Sequence, residues 1–428
     1  MTTTIIKTVG SGGDYADFNA AAAAMPADLV AADQEWILEI GNAAELVLST
    51  PQAIAGKTVD ATRKITVRAK AGQGMADNAN KLSNPLAYNP ANGAAIRTTA
   101  GGWGTALDFR SVQLVQRLQI KAQAASPSIT LRMDGVVGAQ IDRCVLDCAM
   151  TAQADGEGAI WVNRLTNSVL VIRDADYSKI GVVLSGANAR ADNVTAFCGV
   201  LQAAVDLFYA RYTAAAVKNC AVFGAGNLTS PLQSGSTSFT YTVTNLAAPS
   251  GVGNLGGLVA ANQFTNATLA SLDLRVKPSA SLVNAGVPDA ETGGIDVVGM
   301  SRHASTPTVG AWEFKAATGA SIAGSGGISS AEAFGVPTVT ASGGTSATIQ
   351  GDAIKTPSGS VLASTLIPKI AFLRLADMSV ALSLSNQTTN AQGFVPVTSA
   401  ALTAGVVYLR VLADGTGANV GCKAFTAV

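Results

Sequence analysis

Charge is scarce in this 428-residue chain. Only 13% of its residues are Asp, Glu, Lys or Arg, against about 25% in ordinary soluble domains. The 28 basic and 28 acidic residues cancel. There is no basic patch and no interleaving of basic with aromatic residues, which excludes nucleic acid as a partner. Aromatics are only 5% of the chain, and there is one histidine, His303. That histidine lies in the turn-like run Ser301–Ser305, with no partner base in sight, so it is read as a bland loop residue. The five cysteines include one close pair, Cys144 and Cys148, with no histidine beside it. This excludes a zinc site and a disulfide framework. The cysteines are read as small apolar core residues of a protein made in a reducing cytosol. No apolar signal segment opens the chain, and no run reaches ~18 apolar residues, so no membrane insertion is expected. Nothing calls for a cofactor.

Glycine, alanine, serine and threonine are what the chain has instead, with 44 glycines alone. Short apolar strands recur through 107–226 at intervals of roughly two dozen residues, within the 20–50 range that marks solenoids. Val115–Ile120, Ala139–Val145, Ser168–Ile172, Ala191–Phe197 and Ala216–Val222 are successive instances. No helical period fills the gaps, and several gaps hold another short strand, such as Ile129–Arg132 or Gly181–Leu184. Several strands per repeat without a helix predict an all-β solenoid, each coil covering its neighbour.

In chain order, TIIKTV at 4–9 reads as a first strand. An alanine-rich amphipathic helix follows, with Asp14 as its cap and Pro26 as its stop. It is suited to covering the open end of a solenoid. The polar run 71–95 reads as a lateral excursion from the stack. Expected boundaries are a cap with first strands at 1–60, a β-helix at 61–314, a flexible linker at 315–335 and a small β-sandwich at 336–428. Coils from about 60 to 290 would number eight or nine, a rod of about 40 Å at ~4.8 Å per coil.

Two motifs carry a resemblance. Thr8–Tyr15 (TVGSGGDY), followed by Phe18 and the alanine-rich helix, resembles the opening of right-handed parallel β-helix proteins of the pectin-lyase-like superfamily, in the form found on bacteriophage virions. Leu272–Gly286 (LDLRVKPSASLVNAG), then Asp296–Arg302 (DVVGMSR) and Gly310–Glu313 (GAWE), resembles the closing motif of parallel β-helix repeats. Asp296, Gly299, Arg302 and Glu313 are its structural residues, with Asp296 and Arg302 expected to pair. The pattern at 386–408 resembles immunoglobulin-like virion modules.

The resemblance implies a phage virion protein assembled in the host cytoplasm. It implies a homotrimeric decorating fibre or spike on capsid or tail, contacting other virion proteins and host surface polysaccharide. Such folds host lyases, hydrolases and non-enzymes alike. The Gly-His-Gly and paired aspartates of polygalacturonases are missing from the sequence, so the reading leans away from an enzyme. A tailspike-type glycan depolymerase is one alternative and a bacterial surface adhesin another. For the first, Asp174 and Asp176 are the candidate carboxylates, since they share a face if extended. For glycan contact the candidate aromatics are Phe208, Tyr209 and Tyr212, with Trp103 and Trp161 also weighed.

Overall fold

The computed structural model describes residues 2–100, 104–122, 129–148, 158–173, 179–199, 205–211, 214–224, 232–233 and 237–314, and beyond Phe314 a set of strands. The chain divides into two units, Met1–Phe314 and Lys315–Val428.

The first unit is a parallel β-solenoid with three sheets. The first sheet stacks nine strands, from Thr3–Val9 and Gln34–Ile40 through Ile65–Ala69, Leu114–Gln116, Gln140–Asp142, Arg164–Thr166, Ala189–Asp192 and Ala215–Lys218 to Thr237–Thr240. The second stacks eight, from Leu46–Leu48 to Val243–Thr244, and the third stacks seven, from Gln52–Ala53 to Leu232–Gln233. Each complete turn takes one strand from each sheet, which gives about six to seven full turns rather than eight or nine. The stack is shifted toward the N-terminus relative to expectation. Its first sheet begins at Thr3, its last strand ends at Thr244, and the chain then turns back along the side.

A single left-handed residue makes each regular corner between the first and second sheets. Arg117, Arg143, Asn167, Asn193, Asn219 and Tyr241 occupy it, all with φ between 47° and 58°. The backbone N–H of each of the first five donates to the carbonyl of the residue ending the next coil's first-sheet strand. Asn167 thus donates to Asp192 at 3.0 Å and Asn193 to Lys218 at 3.0 Å. Asparagine tolerates this conformation better than other non-glycine residues. The sequence-predicted strand Val115–Ile120 is therefore two strands and a corner.

Identical positions face inward coil after coil. Val67, Val115, Ile141, Leu165, Ala191 and Val217 stack in register in the first sheet, all buried. Ile96, Ile120, Leu146, Leu170, Ala196 and Val222 do so in the second, and Leu107, Leu131, Ile160, Val182 and Phe208 in the third. Fully burying each aliphatic side chain contributes about 1.5–3 kcal/mol. Cys144, Cys148, Cys198 and Cys220 are buried in this interior. Burial pushes the thiols of Cys144 and Cys148 up to about 12, so neither forms a thiolate near neutrality.

At the N-terminal end, Phe18–Ala24 is helical and Phe18 packs edge-on against Phe109 at 4.9 Å. Asp17, not Asp14, caps this helix by accepting from the Ala20 N–H. Asp14 instead accepts from the Thr8 N–H at 2.8 Å and pairs with Lys7.

In the second unit, Val339–Ala341, Ala347–Ile349 and Val397–Ser399 form a three-stranded antiparallel sheet. Leu366–Arg374, Val380–Thr388, Val407–Ala413 and Asn419–Thr426 form a four-stranded one. The expected linker at 315–335 lies outside the described residues.

The corner residues give a graded prediction. The side-chain amide of Asn219 donates to the Val287 carbonyl at 2.7 Å and accepts from its N–H at 3.0 Å. Both amide atoms of Asn193 are buried without a hydrogen-bond partner. Asn219→Ala should therefore cost about 2–3 kcal/mol in urea unfolding. Asn193→Ala should cost under about 1 kcal/mol, because relief of an unpaired buried amide offsets the backbone term.

Candidate functional site

The outer face of the second sheet changes character along the stack. Its outward ladder runs Val47, Arg97, Lys121, Asp147, Val171, Phe197, Phe223 in register. After Val47 the ladder is charged from Arg97 to Asp147, and from Val171 on it is apolar. Two excursions of the chain lie on this face.

The apolar part is covered by the segment from Leu258 to Phe314. Its Phe264, Leu274, Leu282, Val297, Val309 and Ala311 pack on Val169, Val171, Phe197 and Phe223. Phe264 meets Phe223 edge-on at 5.1 Å. This is where the sequence's closing motif lies. It closes a side of the solenoid rather than its last turn.

Inside the cover, Asp296, Arg302 and Glu313 are buried together. Arg302 pairs with Glu313 at 3.5 Å and donates to the carbonyls of Ile295, Thr308, Gly310 and Ala311. Asp296 accepts from the backbone N–H groups of Val298, Met300 and Glu313 instead of from Arg302. The expected Asp296–Arg302 pairing is thus corrected. The guanidinium is drawn to the ring of carbonyls and to Glu313, and Asp296 is saturated by main-chain donors. Gly299 supplies the bend, at φ 77°. Burial pushes the Asp296 carboxyl up and the Arg302 guanidinium down, and their charges oppose both shifts.

The cover is fastened at its edge by charge. Arg190 hydrogen-bonds Asp192 and lies 3.6 Å from both Asp289 and Glu291; Arg164 also pairs with Glu291, and Lys218 lies 3.6 Å from Asp289. Asp192 is fully buried, and this desolvation raises its carboxyl to about 6, with Asp289 adding to the rise.

The charged part of the face is overhung by the lateral excursion 71–95, which replaces the one-residue corner in its coil. It leaves after Ile65–Ala69 and returns at Ala95–Thr98. Gln119, fully buried, ties it down by donating to the carbonyls of Asn89 and Gly93 and accepting from the Asn89 N–H at 2.8 Å. Asp273 of the cover accepts from the Leu86 N–H at 3.0 Å, and Arg275 donates to the Leu82 carbonyl at 3.0 Å. The excursion and the cover thus meet, nearly 200 residues apart in sequence, and leave a cleft of about 660 Å³ between them.

Glu45, Tyr88, Arg97, Lys121 and Arg173 project around this cleft, with Leu269 and Leu272 opposite. Tyr88 donates to Glu45 Oε1, and Arg97 Nε donates to Oε2 at 2.8 Å. Burial and the Glu45 hydrogen bond push the Tyr88 phenol up, while Tyr88 and Arg97 outweigh burial and pull the Glu45 carboxyl down. Glu45 is therefore the charged partner and Tyr88 the neutral one. Arg173 donates to Asp147 at 2.6 Å, and Lys121 Nζ sits 5.4 Å from the Tyr88 ring centroid.

Of the residues singled out in sequence, the closing-motif group Asp296, Arg302 and Glu313 is brought together. Asp174, Asp176, Tyr212 and Trp103 lie outside the described residues. Phe208 is fully buried in the inward ladder of the third sheet, so it is a core residue and not a glycan contact. Tyr209, one position on, faces outward and is half-buried against Trp161 and Val183. Trp161 is itself buried, between Arg132 at 5.0 Å and Arg211 at 4.5 Å. His303 accepts from the Thr306 N–H at 3.1 Å, a turn contact. Sequence reading missed the cleft residues. Their signal was faint: outward positions that stay charged at Arg97 and Lys121 but turn apolar from Val171 on.

No family model matches the chain, and no curated protein compared with it matches either.

Two outcomes follow from this site. Arg302→Met leaves Glu313 buried without its cation and should cost about 3–5 kcal/mol, read as a lower urea midpoint. Asp192 binds its proton more tightly folded than unfolded. Its contribution therefore favours folding as pH falls from about 6 toward the ordinary value of 3.8, and is lost as pH rises through that window. Asp192→Asn should raise the unfolding temperature at pH 8 and change it little at pH 4.

Proposed function

We propose that this chain is a structural, non-hydrolytic appendage protein of a phage particle, a homotrimeric fibre or spike whose solenoid serves as a shaft. The observation that carries the reading is how carboxylates among the described residues of the stack are used. Asp108, Asp134, Asp142, Asp147, Asp192, Glu39 and Glu45 each hold an arginine at 2.8 Å or closer. A glycosidase needs one carboxyl free to donate a proton and another free to attack or to activate water. Carboxylates engaged by guanidinium in this way are oriented for stacking and are not left free to act on a substrate. The opening and closing motifs lend the reading its phage setting, and the antiparallel strands of the second unit suit an immunoglobulin-like module. The cover already buries the apolar side of the second sheet, so lateral contacts between copies fall to the first and third sheets.

Light scattering of the purified full chain should give the mass of three copies, and a stable monomer at micromolar concentration would count against the shaft. Incubation with host surface polysaccharide should release no new reducing ends or unsaturated products. Release that disappears in the Asp174→Asn, Asp176→Asn double variant would install the depolymerase reading instead.

A further inference from the structure

The cleft between the lateral excursion and the cover has the properties of a ligand site. Its walls are fixed before any ligand arrives. Gln119 holds one wall from beneath, and the Asp273–Leu86 and Arg275–Leu82 bonds lock it to the other. About 660 Å³ is within the range of small-molecule sites.

Among the described residues the charges around it do not cancel. Arg97 offsets Glu45, and Arg173 offsets Asp147. Lys121 is left over. Among the described residues its ammonium has no ion-pair partner, and it rests over the Tyr88 ring. Beside it in register is Asp147, 1% exposed, whose Oδ2 has no hydrogen-bond partner. The cleft thus offers one surplus positive charge. Asn89 adds an amide at the rim, and Pro85, Ala87, Leu269 and Leu272 add short aliphatic surfaces. That combination fits a compact ligand with a single anionic group, several hydroxyls and some exposed C–H.

We propose that this cleft binds an acidic monosaccharide unit, carboxylate- or phosphate-bearing, with its anionic group on Lys121 and its hydroxyls on Glu45 and Asn89. The site lies on one face of one chain and does not depend on the appendage reading or on trimer formation.

The test is isothermal titration calorimetry on the full chain with glucuronate, glucose 1-phosphate and glucose. Glucuronate or glucose 1-phosphate should bind with a Kd on the order of 1 mM, and glucose at least about tenfold more weakly. The tighter of the two acidic sugars identifies the anionic group. Lys121→Met should weaken acidic-sugar binding about tenfold or more, and Lys64→Met, just before the first-sheet strand Ile65–Ala69, should leave it unchanged. Lys121→Gln serves the same purpose if the methionine variant does not fold. No binding of either acidic sugar, equal binding of glucose, or unchanged affinity in a folded Lys121 variant would each overturn the proposal.

Discussion

Everything in the first unit depends on stacking parallel strands in register. Each interior strand of the stack is paired in register with the coil above and the coil below, so a coil that slips by one residue would turn its inward side chains outward. Register is held at the corners. A one-residue left-handed corner cannot absorb an extra residue, and its own N–H is bonded to the next coil. The steric cost of left-handed backbone is about 1 kcal/mol or more per non-glycine residue. Asparagine lowers that cost at three successive corners, Asn167, Asn193 and Asn219. Arg117 and Arg143 bear it in full, where each also reaches a carboxylate, Asp77 and Asp142 respectively.

The same corners couple the stack to its cover. Asn167 donates to the Thr292 carbonyl and Asn219 holds Val287 from both sides, so the amides that suit the corner also fasten a distant segment. The cover is needed because Val169, Val171, Phe197 and Phe223 face outward in one patch. Left bare, that patch would be an adhesive stripe along the stack. The buried Arg302–Glu313 pair does not make the cover stick; apolar burial does. A buried ion pair rarely gains much over an apolar substitute. Its effect is to fix one backbone path through six main-chain contacts and carboxylate acceptors, which a purely greasy strap would not specify.

Much of this was legible in sequence, and the limits have physical causes. Recurrence of short apolar strands betrayed the solenoid, because interior ladders demand an apolar residue at the same place in every coil. The third-sheet strands Ile129–Arg132 and Gly181–Leu184 were found for the same reason. The corners were not seen, since Arg117 in VQRLQI looks like one more polar position in an alternating strand. The period starting at Ser168 is out of step for that reason: Arg164–Thr166 is the first-sheet strand, and Val169–Ile172 belongs to the second sheet. The closing motif was recognised, but its direction was not, because packing on a side or on an end buries the same residues. Phe208 and Tyr209 show the finest grain of the problem. They are adjacent aromatics, and only register tells which one faces the core.

The cleft is a consequence of how two excursions share one face. The lateral excursion leaves early, over Arg97 and Lys121; the cover returns late, over Val171 and Phe197. Neither could take the other's place. An apolar strap over Lys121 would strand an ammonium in a desolvated seam, and a polar loop over Phe197 would leave the apolar patch wet. Where the two meet, they are joined by polar bonds from Asp273 and Arg275 rather than by packing. Polar junctions between stiff walls leave space between side chains, whereas apolar junctions collapse to close contact. The charge gradient along a single ladder of the second sheet is therefore enough to explain both why one end of this face is sealed and why the other stays open.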